Sequence, residues 1–339
     1  MTQTSSIQNS TKRHIASVLE QAGMLIVLVV LVVGCSFAVQ GFFSATNLDA
    51  LLQAVATVGM ISCTMLFCLA SGNFDLSVGT IVPAAGVTAA VVINHTGSIT
   101  LGIFAGLGMG AFVGLINGVV VAKAKINPLI TTLATMQIVK GFGFLIAGAE
   151  GSAVGISKAS FYKLGLWAWP VVRDPTGKVI FQITSQVWIC LACFAIFGFL
   201  LQRTIFGRNT LAIGGNEEAA RLAGIRVAAI KIVIFMLQGI VSALAGIIVA
   251  SKLTMGDPKG EEGLELRVIS ACVLGGVSLT GGVGKMSFVI AGVFIMGVVQ
   301  NAMSLMVISP FWQYVVSGTI LLLAVLFDRV KQMHSGTAI

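Results

Sequence analysis

The sequence predicts an all-α polytopic membrane protein with about ten transmembrane helices, some of them short or broken, and with both termini in the cytoplasm. Three observations predict this class. Hydrophobic residues make up 57% of the 339 positions and charged residues only 9%, whereas a soluble domain has about 25% charged residues. The apolar residues form runs long enough to cross a bilayer, which takes about 20 residues per helix. The basic residues favour one side of the alternating segments between these runs.

The predicted helices follow from the apolar runs. In chain order these runs are 24–41, 50–70, 77–94, 99–121, 128–147, 184–203, 229–251, 267–279, 286–307 and 311–327. The eighth run is too short to cross a bilayer alone, and residues 71–79 place polar residues and glycine between two runs. Irregular backbone at membrane depth persists only where protein buries it or where it adjoins a wet cavity. Both places are therefore candidates for a polar path through the helices.

The runs divide the chain into a cytoplasmic N-terminal segment (1–22), a transmembrane domain (23–330) and a cytoplasmic tail (331–339). Within the transmembrane domain, residues 148–183 form a long outer loop and residues 204–228 form a long cytoplasmic loop. No large domain outside the membrane is predicted.

The orientation follows from lysine and arginine, which are enriched in cytoplasmic segments. With the N-terminus inside, twelve basic residues fall in cytoplasmic segments: Lys12, Arg13, Lys123, Lys125, Arg203, Arg208, Arg221, Arg226, Lys231, Lys285, Arg329 and Lys331. Seven fall in outer segments: Lys158, Lys163, Arg173, Lys178, Lys252, Lys259 and Arg267. This asymmetry predicts that both termini lie inside.

The sequence lacks the residue clusters that an enzyme or a metal centre requires. The three histidines lie outside the spans, and no two carboxylates recur on one face of a span. The six cysteines lie in apolar runs, where they are predicted to pack as small hydrophobic residues. Gly284-Lys285 departs from the phosphate-binding loop, because Leu279 and Met286 stand where that pattern needs Gly and Ser or Thr. No catalytic residue, metal ligand or cofactor is predicted, and the scattered basic residues argue against nucleic acid.

Two further patterns concern packing. The fourth run carries a glycine at every fourth position: Gly102, Gly106, Gly110, Gly114 and Gly118. A glycine face lets a neighbouring backbone approach closely, so this helix is predicted to lie in the interior of a tight bundle. Trp167 and Trp169 in the outer loop are typical of an anchor at the membrane surface. A docking surface for an external partner is the alternative.

The cytoplasmic loop 204–228 is predicted to contain a short helix. Asn216 is a preferred N-cap residue, and Glu217 and Glu218 favour the positive end of the helix dipole. Gly224 can end the helix in a left-handed turn. A short capped helix held outside the membrane suits rigid docking to a partner, and an ordinary solvated turn is the alternative.

The residues from Gly214 to Ile225 (Gly-Gly-Asn-Glu-Glu-Ala-Ala-Arg-Leu-Ala-Gly-Ile) resemble the coupling loop of bacterial sugar ABC permeases of the ribose/xylose/arabinose type. Other stretches are similar to that family in the same order: 71–79 (Ser-Gly-Asn-Phe-Asp-Leu-Ser-Val-Gly), Asn117-Gly118, 130–136 (Ile-Thr-Thr-Leu-Ala-Thr-Met), 275–284 (Gly-Gly-Val-Ser-Leu-Thr-Gly-Gly-Val-Gly) and Asp328. The resemblance covers residues 20–330. Stretches that are most similar to the L-arabinose branch of the family are 65–72, 207–224, 268–276 and 308–311.

The resemblance implies the permease subunit of an ATP-driven, binding-protein-dependent sugar importer in the bacterial inner membrane. The implied cargo is L-arabinose, with ribose, xylose, galactose or another small polar solute as the alternative. The implied partners are a second copy of the permease in a homodimer, a cytoplasmic ABC ATPase, a periplasmic sugar-binding protein and membrane lipid. The outer loop 148–183 is then periplasmic. The residues that the resemblance assigns to coupling with the ATPase are Gly215, Asn216, Glu217, Glu218, Ala219, Ala220, Arg221 and Gly224.

A path for an uncharged polyol needs donors and acceptors that replace water. The candidate residues of this translocation path are Asn73, Asp75, Ser77, Thr131, Thr132, Gln137, Lys140, Glu265, Gln300 and Asn301. Lys140 is the sharpest candidate, since a cation at the centre of a span costs about 2.5–3.5 kcal/mol even on the insertion scale. A partner carboxylate, for which Asp75 is the first choice, or a wet cavity must offset that cost.

The residues also allow other assignments. A purely structural ion pair is the alternative role for Lys140. The family usually has Arg at that position and often Asp at Asn73, so a charge-dependent role is not carried over to either residue. A secondary transporter is the rival class, and it would need ligands for a coupling ion inside the bundle.

Overall fold

The computed structural model describes residues 23–148, 151–173, 176–177 and 179–334 as a mostly helical chain. The predicted N-terminal segment 1–22 and the last five residues of the predicted tail lie outside this part of the chain. Its helices are α1 (Gly23–Ala38), α2 (Ala45–Ala70), α3 (Val78–Thr96), α4 (Ile99–Ala122), α5 (Pro128–Ala147), α6 (Lys163–Leu166), α7 (Ser185–Arg203), α8 (Ile205–Gly215), α9 (Glu217–Leu222), α10 (Val227–Leu253), α11 (Leu264–Leu274), α12 (Met286–Leu305) and α13 (Pro310–His334).

Each of the ten predicted apolar runs lies mainly on one of these helices. Seven of the described helices are long and apolar enough to cross a membrane: α2, α3, α4, α5, α7, α10 and α12. The apolar parts of α1 and α13 are shorter. The eighth predicted run corresponds to α11. This helix has only 11 residues, in agreement with the short length of that run.

The core is built around α2. In the most apolar window of this helix 83% of the residues are buried, and α2 packs against α7, α10, α11 and α12. Phe67 near its C-terminal end makes an edge contact with Phe197 of α7 and stacks on Phe206 of α8. The helix is therefore fixed on several sides by elements that belong to distant parts of the sequence.

The glycine face of α4 packs as predicted, but the position predicted for this helix is wrong. Gly110, Gly114 and Gly118 lie directly against the backbone of α10, and Gly102 and Gly106 lie against α3. Only 28% of the apolar window of α4 is buried, and side chains such as Phe104 and Phe112 are exposed. The helix lies at the perimeter of this chain, because glycine lines one face while large apolar residues occupy the others.

The interruption predicted after α2 is present, and it contacts the irregular segment that follows the short helix α11. Residues 71–77 leave α2 and reach α3 without helical structure, and the 275–285 segment does the same between α11 and α12. The amide of Gly282 donates a hydrogen bond of 2.9 Å to the carbonyl oxygen of Ala70. The two breaks therefore meet in one place.

Four short strands within the described residues depart from the all-α prediction. The outer loop forms a hairpin of β2 (Ala168–Arg173) and β3 (Val179–Thr184), and β1 (Val154–Gly155) pairs with β4 (Met255–Gly256). The hairpin residues are rich in valine and isoleucine, which favour strands, but the run is too short to stand out beside ten apolar helices. Trp167, just before β2, and Trp169, on β2, are exposed and make an edge contact with each other.

Candidate functional site

A polar cavity of about 200 Å³ lies between α3, α5 and the irregular segment before α11. The polar residues of its lining are Thr80 from α3, Lys140 from α5, Lys259, Glu261 and Glu262 from the irregular segment, and Glu265 from the first turn of α11. Glu265 lies directly against Gly79, where a side chain would collide with its carboxylate. Two of the predicted path residues, Lys140 and Glu265, thus share one cavity.

Lys140 pairs with a different carboxylate from the one predicted. Its Nζ lies 3.9 Å from Oε1 of Glu262, and the two side chains are 42% and 77% exposed. Asp75, the predicted partner, is fully buried, and its Oδ1 accepts hydrogen bonds from the Ser77 amide and hydroxyl at 2.9 and 2.5 Å. The prediction of a Lys140–Asp75 pair is therefore wrong, because the segment before α11 brings a closer carboxylate to the cavity.

A second cavity of about 210 Å³ adjoins the first and shares residues 261–263 with it. Gln300 of α12 lines it together with Gln313 and Tyr314 of α13. Arg267 also lines it, and its Nη1 lies 2.6 Å from Oε1 of Glu261. The two cavities together offer amide, hydroxyl, carboxylate and cationic groups along one side of the chain.

The break between α2 and α3 holds three other predicted residues in a different role. Asn73 donates to the carbonyl oxygen and the hydroxyl of Ser71, both at 2.9 Å. Asn117 of α4 donates to the Ser77 hydroxyl at 2.9 Å, and both residues are fully buried. Neither of the two cavities is lined by Asn73, Asp75 or Ser77. The hydrogen bonds of Asn73 and Asp75 instead stay within the break, and the bond between Ser77 and Asn117 fixes the break to α4.

The remaining predicted path residues lie apart from the cavities. Thr131 and Thr132 are buried in the first turns of α5, and their hydroxyls donate to the carbonyl oxygens of Asn127 and Pro128. Gln137 is exposed on α5. Asn301 exchanges two side-chain hydrogen bonds, of 3.0 and 2.8 Å, with Asn47 of α2.

Sequence reasoning missed several cavity residues: Thr80, Glu262, Arg267, Gln313 and Tyr314. Glu261 and Glu262 stand side by side just before a short helix, which was a usable signal for a polar lining. Gln313 and Tyr314 are polar residues at the start of the last apolar run and were equally visible.

The predicted cytoplasmic helix is α9, and its ends have the predicted chemistry. The Asn216 side chain accepts a hydrogen bond of 2.9 Å from the Ala219 amide, so Asn216 is the N-cap. Gly224 has φ +83°, and its amide donates to the Arg221 carbonyl oxygen at 3.0 Å. Local sequence therefore determines where this helix begins and ends.

Apolar and ionic contacts fix α9 to the spans. Ala220 packs with Ile213 of α8 and Val227 of α10 in a small buried cluster. Glu217 accepts a hydrogen bond of 2.6 Å from Lys231 of α10, which holds the pKa of the Glu217 carboxyl below its usual value. Leu222 is 82% exposed on the same short helix. The short helix is therefore anchored to the spans on one side and leaves one large apolar side chain exposed on the other.

The comparisons with known proteins identify the family. Residues 47–325 match the family described as branched-chain amino acid transport system / permease component. The chain belongs to this family of transport permeases. It is 56% identical to the L-arabinose transport system permease protein AraH of Escherichia coli (strain K12), over 94% of this chain and 93% of that protein.

Two other relatives span similar lengths. The L-arabinose ABC transporter permease protein AraH of Azospirillum brasilense is 48% identical over 93% of this permease and 89% of its own length. The ribose import permease protein RbsC of Bacillus subtilis (strain 168) is 36% identical over 97% and 99%. The permease is a transport subunit of the ABC class rather than an enzyme, and it is a multi-pass protein of the bacterial inner membrane.

Proposed function

We propose that the chain is the permease subunit of an ATP-driven, binding-protein-dependent importer that carries L-arabinose across the inner membrane by alternating access. The observation that carries the choice of cargo is the 56% identity to an L-arabinose permease over 94% of the chain. A sister cargo such as ribose is the second candidate, and it rests on the 36% identity to a ribose permease.

The proposed path runs along the two adjoining cavities. A pentose must exchange water for protein donors and acceptors, since each stripped hydroxyl without a partner costs on the order of kcal/mol. Lys140 supplies a donor, Glu265 an acceptor, and Gln300 with Gln313 both kinds of group at the second cavity. The fully buried Asp75–Ser77–Asn117 cluster is assigned to positioning α3 rather than to contact with sugar.

The proposed arrangement pairs two copies of the chain on the cavity side. Apolar side chains are exposed on the face of α5 that carries Lys140, among them Leu129 and Leu133, and on α13 beside the second cavity, among them Phe311 and Val315. A second copy packed on this face would cover these side chains and enclose the cavities between the two permeases. This proposal also includes about ten membrane crossings with both termini in the cytoplasm, α11 and the following segment forming one broken crossing.

The proposed coupling element is α9. Its charged groups and the exposed Leu222 would contact a cytoplasmic ATPase, while its contacts with α8 and α10 would transmit ATP-driven closure to the spans. Rigid-body rocking of the paired permeases would then switch access between the two sides of the membrane.

The test is uptake of radiolabelled L-arabinose by cells that lack their own arabinose transporters and express this chain with its ATPase and binding protein. We expect uptake that needs all three components and that tenfold excess D-ribose, D-xylose or D-galactose inhibits only weakly. Faster uptake of ribose than of arabinose would replace the proposed cargo with the sister cargo. Uptake that persists without the ATPase would instead contradict the ABC mechanism.

A further inference from the structure

A groove of about 490 Å³ opens between α8 and the start of α10. Its lining consists of Ile205, Phe206, Asn209, Ala223, Gly224, Ile225, Arg226, Ala229, Ile230 and Val233. Most of these residues are apolar, and Ile205 is 67% exposed. Phe206 is held in place by its stacking on Phe67 of α2, at 5.7 Å between ring centroids. The groove is thus a fixed apolar surface left open on this chain.

The groove lies where two spans end. Arg203 is the last residue of α7, and Arg226 immediately precedes the first residue of α10. From Arg226 to Val233 the lining runs along α10 for seven residues, which is about 10 Å of helix. The groove therefore starts at the membrane boundary with a cation and continues into the span with apolar groups only.

The side chains of three arginines at this boundary make no ion pair or hydrogen bond within the described part of the chain. Arg226 lines the groove, Arg208 lies one turn from Ile205 on α8, and Arg203 directly precedes the α8 N-cap. All three are exposed. By contrast, Arg221 and Lys231 nearby are paired with glutamates of α9. The cations without a glutamate partner are therefore Arg226 in the groove lining and Arg203 and Arg208 on or next to helix α8, which borders it, whereas the cations that contact α9 are paired.

We infer that this groove binds an anionic phospholipid of the inner leaflet. The phosphate would lie at Arg226, within reach of Arg203 and Arg208, and Asn209 would donate to its oxygens. One acyl chain would lie along Ala229, Ile230 and Val233. Basic pockets between transmembrane helices on the cytoplasmic side bind anionic lipid headgroups for this reason, and the apolar lining accounts for the rest of the molecule. The bound lipid would brace α8 against the start of α10, directly behind α9.

Binding is tested by native mass spectrometry on the full chain purified in detergent, titrated with dioctanoyl phosphatidylglycerol. We expect saturable binding of this lipid, with dioctanoyl phosphatidylcholine and glycerol phosphate each binding at least tenfold more weakly. Arg226→Gln should weaken phosphatidylglycerol binding about fivefold, because each basic residue near a membrane surface contributes about that much affinity. Lys123→Gln, which removes a cytoplasmic charge outside the groove lining, should leave binding unchanged.

A second pair of variants tests the groove without changing charge. Ala229→Trp should fill it and abolish phosphatidylglycerol binding, whereas Ala212→Trp, on an exposed position of α8 outside the lining, should not. Equal binding of the zwitterionic lipid, or equal binding of glycerol phosphate, would overturn the inference of a site for anionic lipid. Normal lipid binding by Ala229→Trp together with lost ATPase association would reassign the groove to the protein partner. None of these outcomes depends on which sugar is carried.

Discussion

Lys140 is a cation on the membrane helix α5 that lines one of the two polar cavities. Its contact with Glu262 spans 3.9 Å, and both side chains are substantially exposed. Exposed pairs of this kind contribute about 0–1 kcal/mol, so the pair alone gives little reason for a cation on a membrane helix. The polar cavity beside the ammonium group explains why a cation is tolerated on this helix, because the group keeps access to water or to a hydroxylated solute.

Replacement of Lys140 by Met should lower L-arabinose uptake at least tenfold at unchanged abundance in the membrane. A hydrogen bond to a charged group contributes about 1.5–3 kcal/mol, and methionine removes the donor while keeping the length of the side chain. The measurement is the initial rate of labelled arabinose uptake, normalised to permease detected in isolated membranes.

Two matched variants sharpen this prediction. Glu262→Gln removes the ion pair but keeps the cavity and Lys140, and it should change uptake less than threefold. Lys123→Met removes a lysine that lies outside the cavity and should leave uptake normal. Uptake by Lys140→Met at the level of the parent chain would show that this lysine has no transport role.

At the residue level, the sequence predicted what depends on neighbours in the chain and missed what depends on tertiary contact. Asn216 and Gly224 were predictable because capping needs only residues a few positions away. The partner of Lys140 was not, since Glu262 is distant in sequence and reaches the cavity only through the irregular segment before α11. The contact of Asn301 was not predictable for the same reason, because its partner Asn47 lies on another helix.

The glycine face of α4 lets the backbones of α4 and α10 approach each other closely. A Cβ at Gly110 would collide with the carbonyl of Gly239 and the side chain of Ala243 on α10, whereas a Cβ at Gly108 would meet nothing within 4 Å. Gly110→Ala should therefore destabilise the permease by about 1–3 kcal/mol, as overpacking does. Gly108→Ala is the matched control on the same helix and should be tolerated.

The measurement for this pair is the midpoint of thermal unfolding of each variant in detergent, followed by size-exclusion chromatography. We expect a lower midpoint for Gly110→Ala only. Equal midpoints for the two variants would mean that α4 and α10 do not pack as closely as described.

The anchoring of α9 should depend on pH through Glu217. The hydrogen bond from Lys231 keeps the pKa of this carboxyl below its ordinary value of 4.5 in the folded chain. A lowered folded-state pKa means that the carboxylate stabilises the fold above pH 4.5 and that this contribution is lost as the pH falls through the lowered pKa. Amides of α9 should therefore lose protection from hydrogen exchange in that acidic window.

This pH effect is measured by hydrogen exchange with mass spectrometry between pH 7 and pH 3, corrected for intrinsic exchange rates. Glu217→Gln should show reduced protection of α9 already at pH 7 and no further loss of this contribution on acidification. Glu218→Gln, which leaves the Lys231 contact intact, should keep the pH dependence of the parent chain. The same profile in all three proteins would contradict the anchoring role of Glu217.

Elements were predictable where composition differs strongly from the surroundings. Long apolar helices such as α5 and α12 begin at the predicted residue, because a polar residue (Asn127 or Lys285) directly precedes the apolar run in each case. The β2–β3 hairpin was missed, since six-residue strands carry little signal in a chain dominated by apolar helices. The perimeter position of α4 was missed because the glycine spacing indicates only that a neighbouring helix packs closely on the glycine face. It does not indicate whether the other faces of α4 are covered.

At the scale of the whole molecule, α8 and α9 are connected mechanically to the breaks in the spans. Gly214 of α8 lies directly against the backbone of Ala70 and Gly282, the same two residues that join the breaks after α2 and α11. A rigid displacement of α8 and α9 would therefore push on both breaks at once. Residues 258–263, which contribute to the lining of the cavities, lead directly into α11, so α11 connects the second break to the proposed path.

This connection predicts that a change on the exposed side of α9 uncouples ATP hydrolysis from transport without unfolding the spans. Glu218→Lys reverses a charge that is exposed on α9, and Leu222→Ala removes most of the bare apolar side chain. Together they should lower ATPase association in a pull-down and reduce sugar uptake in parallel, at least tenfold each. The thermal midpoint should stay within a few degrees, because neither side chain is buried.

The control is Thr96→Ala, at the exposed C-terminal residue of α3. This variant should leave ATPase association intact. If the double variant bound the ATPase normally yet failed to transport, α9 would transmit motion without forming the docking surface, and the contact with the ATPase would have to lie elsewhere on the cytoplasmic side.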